Sequence, residues 1–340
     1  MKALVKNIPK KGIWMKEVPR PNCGTNDVII KITHTAICGT DLHIYNWDEW
    51  AKKTLELPLV IGHEFCGIVD EVGPGVTNIK KGQRVSGEGH ITCGQCRNCR
   101  AGKQHLCHKT KGIGVHRDGA FAEFLALPKT NVWPIHDEVD SEIAAFFDPL
   151  GNAVHTALSF DLAGEDVLIT GAGPIGLMCV ALCKFSGARN IVISDVNDYR
   201  LNLASKLGAT KIINVNSELI KDSFKELRIK NGFDVGLEVS GQPSAFKDML
   251  KHMYHGGSIA LLGLLPNKTQ IDWDDIIFKG LRIKGIYGRE MYETWHKMIQ
   301  ILRSGLDIDC ILTHKFSINE YEKAFEILMN GQCGKVVMEW

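Results

Sequence analysis

The chain shows two different rhythms of hydrophobic and polar residues. In its first 90 residues, short apolar runs such as 28–32 and 67–72 are separated by glycine, proline and polar residues, a pattern that predicts a domain built mostly of β-strands. From about residue 165 onward, short apolar runs alternate with segments of helical periodicity, of which residues 199–207 are one example. The change predicts two domains of different architecture, with a boundary near residue 152.

The second domain contains a series of strand-like runs separated by helical segments. These runs are residues 166–170, 190–194, 233–238, 257–262 and 281–285. Short apolar strands that alternate with helices are typical of a parallel sheet covered by helices on both faces. We therefore expect an α/β fold with a doubly wound parallel sheet over residues 152–290. Residues 291–340, with two helical patterns and a closing strand at 335–338, are expected to rejoin the first domain, residues 1–151.

Composition and charge narrow the class of protein. Hydrophobic residues make up 44% of the 340 residues and charged residues 23%, which is ordinary for a globular protein and excludes a disordered chain. With 40 Lys and Arg against 39 Asp and Glu, the net charge is +1. No basic excess points to nucleic acid or to an anionic membrane. Small molecules and further copies of the chain are therefore the expected partners.

Neither a membrane span nor an export signal is expected. The longest uncharged run, residues 167–183, contains several glycines and a proline, and it fits a strand, a turn and a helix better than a spanning helix. At the N-terminus, Lys2 and Lys6 enclose only three apolar residues, so the long apolar segment of a signal peptide is missing. We therefore expect an intracellular, cytoplasmic protein.

A glycine-rich turn follows the first strand of the predicted parallel sheet. Gly171, Gly173 and Gly176 fit the pattern G-x-G-x-x-G between an apolar strand and a helix. Such glycines allow a tight turn and a close approach of a dinucleotide's pyrophosphate to the helix N-terminus, as in Rossmann domains. Asp195 ends the next strand, where it would bind the adenosine ribose and repel a 2′-phosphate, which favours NAD over NADP. Arg200 is evidence against this choice, because a nearby arginine can bind the 2′-phosphate of NADP.

Four of the eleven cysteines are clustered in the first domain. Cys93, Cys96, Cys99 and Cys107 are separated by two, two and seven residues. Four thiolates at this spacing can surround one Zn²⁺ in a closed, tetrahedral structural site. Disulfides fit poorly with an intracellular chain, and an iron–sulfur cluster is an alternative that the spacing leaves open.

A second group of candidate ligands is spread over three separate segments. Cys38 and His63 offer a thiolate and an imidazole in glycine-rich surroundings, and Glu64 or Asp148 could supply a third ligand. Three protein ligands leave the fourth position of Zn²⁺ open for substrate, as in catalytic zinc sites. Taken singly, each of these residues is as easily explained by core packing, so the residues alone leave the site open.

Together these motifs resemble those of the zinc-dependent medium-chain alcohol dehydrogenases. The similarity extends over the whole chain and includes residues 62–85 around the candidate catalytic zinc, the cysteines at 93–107 and the glycine turn at 171–176. The resemblance implies a Rossmann doubly wound parallel sheet joined to a mostly β, GroES-like catalytic domain with a zinc lobe. It also implies NAD as cofactor and two Zn²⁺ per chain, one catalytic and one structural.

Four segments narrow the resemblance to the family members that act on L-threonine. These segments are residues 36–50, 86–93, 147–155 and 284–291. This resemblance implies oxidation of the 3-hydroxyl to L-2-amino-3-oxobutanoate in threonine catabolism toward glycine, in which zinc favours the alkoxide and hydride passes to NAD. It further implies a homotetramer, and a functional link to a 2-amino-3-oxobutanoate ligase is a further expectation.

The resemblance also assigns roles to individual residues. Thr40 and His43 would form a proton relay, and Asp148 would lie beside the metal and tune proton release. Relatives often have Cys or Glu at the position of Asp148, so the choice between Glu64 and Asp148 as third ligand stays open. The implied zinc ligands are Cys38, His63 and Glu64 at the catalytic site and Cys93, Cys96, Cys99 and Cys107 at the structural site. The implied cofactor contacts are Gly171, Gly173, Ile175, Gly176, Asp195, Arg200, Leu262, Gly263, Leu264, Ile286 and Tyr287.

An amino-acid substrate needs partners for its ammonium and carboxylate groups. His90 and Arg289, together with Glu88, are candidates, although each is as easily explained as a surface or ion-paired residue. Two alternatives share part of the motif set: a polyol or 2,3-butanediol dehydrogenase of the same family, and a non-catalytic NAD-binding zinc protein. The second is disfavoured by the presence together of Cys38, His63, Thr40 and His43, because a protein without catalysis needs no proton relay.

Overall fold

The computed structural model describes residues 1–340, which form two compact units. The first unit comprises Met1–Asp148, His314–Asn330 and Lys335–Trp340, and the second comprises Pro149–Thr313 and Gly331–Gly334. None of the helices combines the length and the apolar composition that crossing a membrane would require.

Strands and short helices dominate the first unit, and strands alternate with helices in the second. The strands are β1 Lys2–Lys6, β2 Trp14–Glu17, β3 Asp27–Ala36, β4 Leu59–Val60, β5 Glu64–Val72, β6 Arg84–Gly87, β7 His90–Ile91, β8 Lys111–Gly112, β9 Phe124–Pro128, β10 Val132–Pro134, β11 Asp166–Thr170, β12 Asn190–Asp195, β13 Lys211–Asn214, β14 Phe233–Glu238, β15 Met253–Leu261, β16 Arg282–Gly285, β17 Leu312–Ser317 and β18 Lys335–Glu339. The helices are α1 Gly39–Asn46, α2 Glu49–Thr54, α3 Arg97–Arg100, α4 Ser141–Ala145, α5 Phe147–Ala157, α6 Pro174–Phe185, α7 Asp198–Lys206, α8 Asp222–Leu227, α9 Pro243–His252, α10 Trp273–Ile277, α11 Glu293–Arg303 and α12 Tyr321–Met329.

The first unit is built on a largely antiparallel sheet with the strand order β10-β6-β5-β3-β18-β17, and β9 also pairs with β3. Val28, Ile30 and Ile32 occupy alternate positions of β3 and so share one face of the sheet. They pack with Phe65 and Leu127 in the core of this unit. This burial fixes β3 against β5, whose ends carry the candidate zinc ligands. The mostly β architecture predicted for this part of the chain is confirmed.

The second unit contains a six-stranded parallel sheet with the order β13-β12-β11-β14-β15-β16. All five residues of β11, which lies within the sheet, are buried. Helices α6, α7 and α9 pack against the strands. A chain that starts inside the sheet and then builds outward to both edges gives the doubly wound order of dinucleotide-binding folds. The predicted α/β fold class is therefore confirmed.

The borders of the two units differ from the predicted ones. The first border falls after Asp148, and the chain returns to the first unit at His314 rather than at residue 291. The reason is local packing, because a 3₁₀ turn at Asp309–Ile311 lies against α6 and α7. Thr313 Oγ1 also accepts a hydrogen bond from the N–H of Gly334 at 3.0 Å. The periodicity of a helix such as α11 shows that it has an apolar face, but not which unit that face covers.

Candidate active site

The first group of candidate ligands lies where strands β3 and β5 meet helix α1. Cys38 is the N-cap of α1, His63 immediately precedes β5, and Glu64 is the first residue of that strand. The two strands pair with Ala36 opposite Glu64, which brings together segments that are distant in sequence. One ligand atom from each of Cys38, His63 and Glu64 lies within 4.8 Å of the other two. We call this group the open cluster.

A buried carboxylate that was not among the predicted site residues lies beside two of these ligands. Asp41 has no exposed surface, and its Oδ2 accepts a hydrogen bond from the N–H of Cys38 at 2.9 Å. Its Oδ1 lies 3.8 Å from Nδ1 of His63. A carboxylate behind a metal-binding histidine typically orients the ring and raises its basicity. The spacing of three residues from Cys38 is a usable sequence signal, because residues i and i+3 share one side of a helical turn.

The second unpredicted residue of this site is Lys335 on β18. Its Nζ lies 2.5 Å from Oε2 of Glu64 and donates a hydrogen bond to the carbonyl oxygen of Ile37 at 2.8 Å. Both charged side chains are almost fully buried. Lys335 therefore holds one oxygen of the Glu64 carboxylate, while the other, Oε1, is buried without a hydrogen-bond partner. No local sequence signal links two residues that are 271 positions apart.

The donor atoms and charges of the open cluster fit a zinc ion. Thiolate, imidazole and carboxylate are all ligands that Zn²⁺ prefers, and three of them leave one position open. Burial raises the pKa of the Asp41 and Glu64 carboxyl groups, because their charged forms are poorly solvated there. A cation held by Cys38, His63 and Glu64 would offset this buried negative charge.

The remaining carboxylate candidate, Asp148, belongs to an adjacent group. One ligand atom from each of Asp148, Glu88 and His90 lies within 4.8 Å of the other two. Glu88 is 1% exposed, and its Oε1 lies 2.9 Å from both the backbone nitrogen and the ring Nδ1 of His90, which fixes the ring. The structure thus groups Asp148 with the predicted substrate residue His90, and Glu64 with the two other zinc-ligand candidates.

Both predicted relay residues lie on helix α1. Thr40 Oγ1 is 3.7 Å from Sγ of Cys38, whereas the side chain of His43, about one turn further on, is 60% exposed. Nδ1 of His43 is 2.5 Å from Oδ2 of Asp48, and Asp48 caps helix α2 by accepting the N–H of Ala51. Partial burial alone would raise the pKa of the Asp48 carboxyl, but the hydrogen bonds from Ala51 and His43 lower it. Helix α1 therefore places Thr40 near Cys38 and exposes His43 to solvent, and the relay role of the two residues stays a prediction.

Four sulfur atoms form the second group, which we call the cysteine cluster. All of them lie within 4.8 Å of one another, with Cys96–Cys99 and Cys93–Cys107 sulfur distances of 3.5 Å. These sulfurs are not bonded to one another, so the disulfide alternative finds no support. Burial alone would raise the pKa of the Cys107 thiol, but hydrogen bonds from the N–H groups of Cys93 and Lys109 lower it to about 6. Four thiolates would saturate one zinc ion and leave no position for a substrate.

In the second unit, the glycine turn has a tight side and an open side. A Cβ atom on Gly176 would lie 1.9 Å from the carbonyl oxygen of Gly171, whose own φ is +96°, so the turn requires glycine at both positions. A Cβ atom on Gly173 would meet no atom within 4 Å. Gly173 is the N-cap of α6, and it provides no side-chain cap. The first N–H groups of α6 are therefore suited to a pyrophosphate.

Asp195 lies at the carboxyl end of β12, beside the glycine turn. Its carboxylate accepts hydrogen bonds from the N–H groups of Ala172, Val196 and Asn197 at 2.6, 2.7 and 2.9 Å. Together with Gly171 it lines a cavity of about 560 Å³, a volume within the range of small-molecule sites. An ionised carboxylate has about four acceptor positions, so Asp195 can still bind a ribose hydroxyl.

The other predicted cofactor residues lie in the same unit, mostly in the loops that follow its strands. Leu264 and Tyr287 are 94% and 56% exposed, and a bound ligand would cover part of this surface. Arg200 donates a hydrogen bond from Nε to the carbonyl oxygen of Cys333 at 3.4 Å. The positions are Ile175 in the first turn of α6, Arg200 on α7, Leu262, Gly263 and Leu264 after β15, and Ile286 and Tyr287 after β16.

Arg289 is packed inside the second unit. It is 1% exposed, and its Nη1 donates a hydrogen bond to Oδ1 of Asn152 at 3.1 Å. The guanidinium carbon lies 6.0 Å from the centre of the Trp295 ring, and a Cβ atom on Gly151 would lie only 2.6 Å from Cδ of Arg289. These contacts give Arg289 a packing role, and its contact with the substrate stays a prediction.

Comparison with known proteins identifies relatives of the whole chain. Residues 24–137 match the alcohol dehydrogenase GroES-like domain, and residues 174–304 match the zinc-binding dehydrogenase family. An L-threonine 3-dehydrogenase from Marinomonas sp. strain MWYL1 is 59% identical, and the alignment covers 100% of both chains.

Solved structures of dehydrogenases share the fold over nearly the full length. A short chain alcohol dehydrogenase from E. coli CFT073, complexed with NADH, is 29% identical with a TM-score of 0.90. A 2R,3R-butanediol dehydrogenase from Bacillus subtilis is 25% identical with a TM-score of 0.89. Each similarity covers 100% of this chain and 99% of the other.

These similarities include the regions that carry the candidate site. Cys38, His63 and the cysteine cluster lie within the part that matches the GroES-like domain, and helix α6 and strand β12 lie within the part that matches the zinc-binding dehydrogenases. The predicted family is confirmed. The chain belongs to the zinc-binding dehydrogenases of the alcohol dehydrogenase family, in the group that contains the L-threonine 3-dehydrogenases.

Proposed function

We propose that the chain oxidises the 3-hydroxyl of L-threonine to L-2-amino-3-oxobutanoate with NAD as the hydride acceptor. The observation that carries the proposal is 59% identity over both full chains to a relative named L-threonine 3-dehydrogenase. The geometry is consistent with this activity, since the chain has an open three-ligand cluster, two relay residues and a dinucleotide turn.

The chain's own residues divide the chemistry between them. Cys38, His63 and Glu64 would hold the catalytic zinc, and the cysteine cluster would hold the structural one. When bound, zinc lowers the pKa of the substrate hydroxyl, and NAD accepts the hydride. Thr40 accepts the hydroxyl proton at Oγ1 and gives up its own hydroxyl proton along the relay, and His43 passes a proton to water because its ring is exposed to solvent.

The group formed by Glu88, His90 and Asp148 suits a substrate that is an amino acid. Its two carboxylates attract the ammonium group, and Glu88 holds the ring of His90 in one orientation. Burial raises the pKa of the Glu64 carboxyl, and the charge of Asp148 raises it further. The group that contains Asp148 and the open cluster therefore interact electrostatically. An alcohol without an ammonium group would gain nothing from these two carboxylates, so the group favours an amino acid over such an alcohol.

NAD rather than NADP is proposed because of Asp195. Its carboxylate ends β12 beside the glycine turn, where a 2′-phosphate would meet like charge. Arg200 is the residue that could favour NADP, and its Nε donates a hydrogen bond to the carbonyl oxygen of Cys333 instead.

A homotetramer is also part of the proposal. On the second unit, Trp273, Ile277 and Phe278 are 64%, 65% and 74% exposed, and Ile283 on the edge strand β16 is 37% exposed. Exposed apolar residues beside an open sheet edge are typical of a surface that another copy covers. A cytoplasmic location and a functional link to a 2-amino-3-oxobutanoate ligase, which would consume the product, complete the proposal.

The test measures NADH formation from NAD with L-threonine, D-threonine, sorbitol, 2,3-butanediol and ethanol, together with the zinc content. A strong preference for L-threonine is expected. Preference for sorbitol or 2,3-butanediol would favour the alternative within the family, although the solved butanediol enzyme is only 25% identical. No turnover with about one zinc per chain would favour a non-catalytic protein.

A further inference from the structure

A buried glutamate without a predicted role lies at the carboxyl edge of the parallel sheet. Glu238 is the last residue of β14, opposite Thr170 of β11 on one side and Leu261 of β15 on the other. Its side chain has no exposed surface. The three loops that follow these strands include Gly171, Ser240 and Gly263, and ligands of doubly wound sheets bind at this edge.

One oxygen of the Glu238 carboxylate collects several hydrogen bonds. Oε1 accepts the N–H groups of Ser240 and Gly241, each at 3.0 Å, and the Thr170 hydroxyl at 3.4 Å. The Ser240 hydroxyl donates a further hydrogen bond to the same oxygen. The side chain therefore shapes the loop after β14 and ties it to the end of β11.

The backbone of Glu238 binds the third loop. Its carbonyl oxygen accepts the N–H groups of Leu262 and Gly263, both at 3.0 Å. The second carboxylate oxygen, Oε2, is buried without a hydrogen-bond partner and faces Gly263, where a Cβ atom would lie 2.2 Å from it. A Cβ atom on Gly171 would lie 2.9 Å from Cα of Ser240, so the loop held by Glu238 also contacts the glycine turn.

A purely structural role does not require a carboxylate at this position. Burial raises the pKa of Glu238, which means that its charge is held at a cost, and apolar side chains fill buried space without that cost. What a carboxylate adds is a strong acceptor for the loop N–H groups, because hydrogen bonds to an ionised group are about twice as strong as neutral ones.

We propose that Glu238 is a positioning residue for the dinucleotide, which holds the loops after β11, β14 and β15 in the arrangement that binds it. The inference rests on the proposed use of NAD. Glu238 acts through Ser240, Gly241 and the glycine turn rather than by touching the reacting atoms.

The test compares two substitutions of nearly equal volume. Glu238→Leu removes the acceptor, and we expect the Kd for NADH to rise about tenfold or more, since the partly buried N–H groups of Ser240 and Gly241 lose their partner. Glu238→Gln keeps a neutral acceptor, and we expect a rise of about threefold. The KM for NAD should rise in the same order, while the KM for L-threonine and the zinc content stay at the wild-type values.

Asp166→Asn is the matched control. Asp166 is also a buried carboxylate in this sheet, but it begins β11 at the opposite edge and pairs with Arg189. We expect this substitution to lower the melting temperature without changing the Kd for NADH. Fluorescence titration with NADH and thermal unfolding measure the two quantities on the full-length, zinc-loaded protein.

The outcomes separate this inference from the proposed function. An unchanged Kd in folded Glu238→Leu would overturn the inference, and so would an equal rise in Asp166→Asn. If Glu238→Leu does not fold, Glu238→Gln decides, and a Kd equal to that of the wild type overturns it. Wild-type protein that fails to bind NADH would contradict the proposed function itself.

Discussion

The open cluster and the cysteine cluster lie in the same unit of the protein but are built in different ways. All four ligands of the cysteine cluster come from one short segment, residues 93–107. The open cluster combines residues near the ends of two paired strands and depends on Asp41 and on Lys335 of the last strand. Local folding is enough to assemble the first, whereas the second requires most of the unit to be folded.

The two clusters also differ in how the charges of their side chains are stabilised. In the cysteine cluster, backbone N–H groups lower the pKa of the Cys107 thiol to about 6 against the effect of burial. Its thiolate therefore persists as the pH falls toward 6, whereas burial raises the pKa of the neighbouring Cys99 thiol to about 11, so metal binding must displace a proton there. In the open cluster, burial raises the pKa of Glu64. The cysteine cluster can surround one ion with four thiolates, whereas the open cluster leaves charge for a metal and a substrate to balance.

The largest effect is expected from removing a ligand of the open cluster. Cys38→Ser replaces a thiolate by a weak zinc ligand, so turnover of L-threonine should fall by at least about 1000-fold, because several kcal/mol of metal-derived stabilisation of the transition state is lost. NADH binding and the zinc of the cysteine cluster should remain. NADH formation, fluorescence titration with NADH and zinc analysis measure these three properties.

Cys23→Ser is the matched control for this substitution. Cys23 is a partly buried cysteine of the same unit that belongs to neither cluster. Turnover in Cys38→Ser equal to that of the control would exclude the open cluster from catalysis. Loss of NADH binding would indicate that the substitution unfolds the protein instead.

Cys107→Ser is expected to affect stability more than chemistry. The substitution should remove about one zinc per chain and lower the melting temperature, because metal binding contributes directly to folding. The kcat of the chains that remain folded should stay close to the wild-type value, since the cysteine cluster offers no open position. Thermal unfolding and zinc analysis, with kcat normalised to folded protein, measure the effect. Equal losses of kcat in Cys107→Ser and Cys38→Ser would remove the functional distinction between the clusters.

Features that depend on neighbouring residues were predictable from the sequence. The runs 166–170 and 233–238 coincide with β11 and β14, and the predicted helix 199–207 differs from α7 by one residue at each end. Hydrophobic periodicity determines such elements locally. The spacing of the cysteines and of the glycines in their turn is equally local, which is why both motifs indicate their chemistry from the sequence alone.

Features that depend on distant partners were not predictable in this way. Lys335 acquires its role from Glu64 through the pairing of strands that are far apart in sequence. Glu238 acquires its role from three loops that meet only when the parallel sheet forms. For the same reason, the residue at which the chain returns to the first unit was not predictable. Residues near Asp309–Ile311 pack on α6 and α7, and the chain returns to the first unit only at His314.

Asp48→Asn tests the proton route to solvent that is proposed for the open cluster. Asp48 lies 2.5 Å from Nδ1 of His43 and accepts the N–H of Ala51. Asparagine keeps an oxygen for the cap but presents amide hydrogens to the ring, which must then turn or change tautomer. We therefore expect kcat for L-threonine to fall roughly three- to tenfold, with zinc content and NADH binding unchanged. Glu49→Gln, an exposed substitution at the first residue of α2 next to Asp48, is the control. Equal kcat in both variants would mean that His43 works without Asp48, and the proton route would then depend on Thr40 and the exposure of His43 alone.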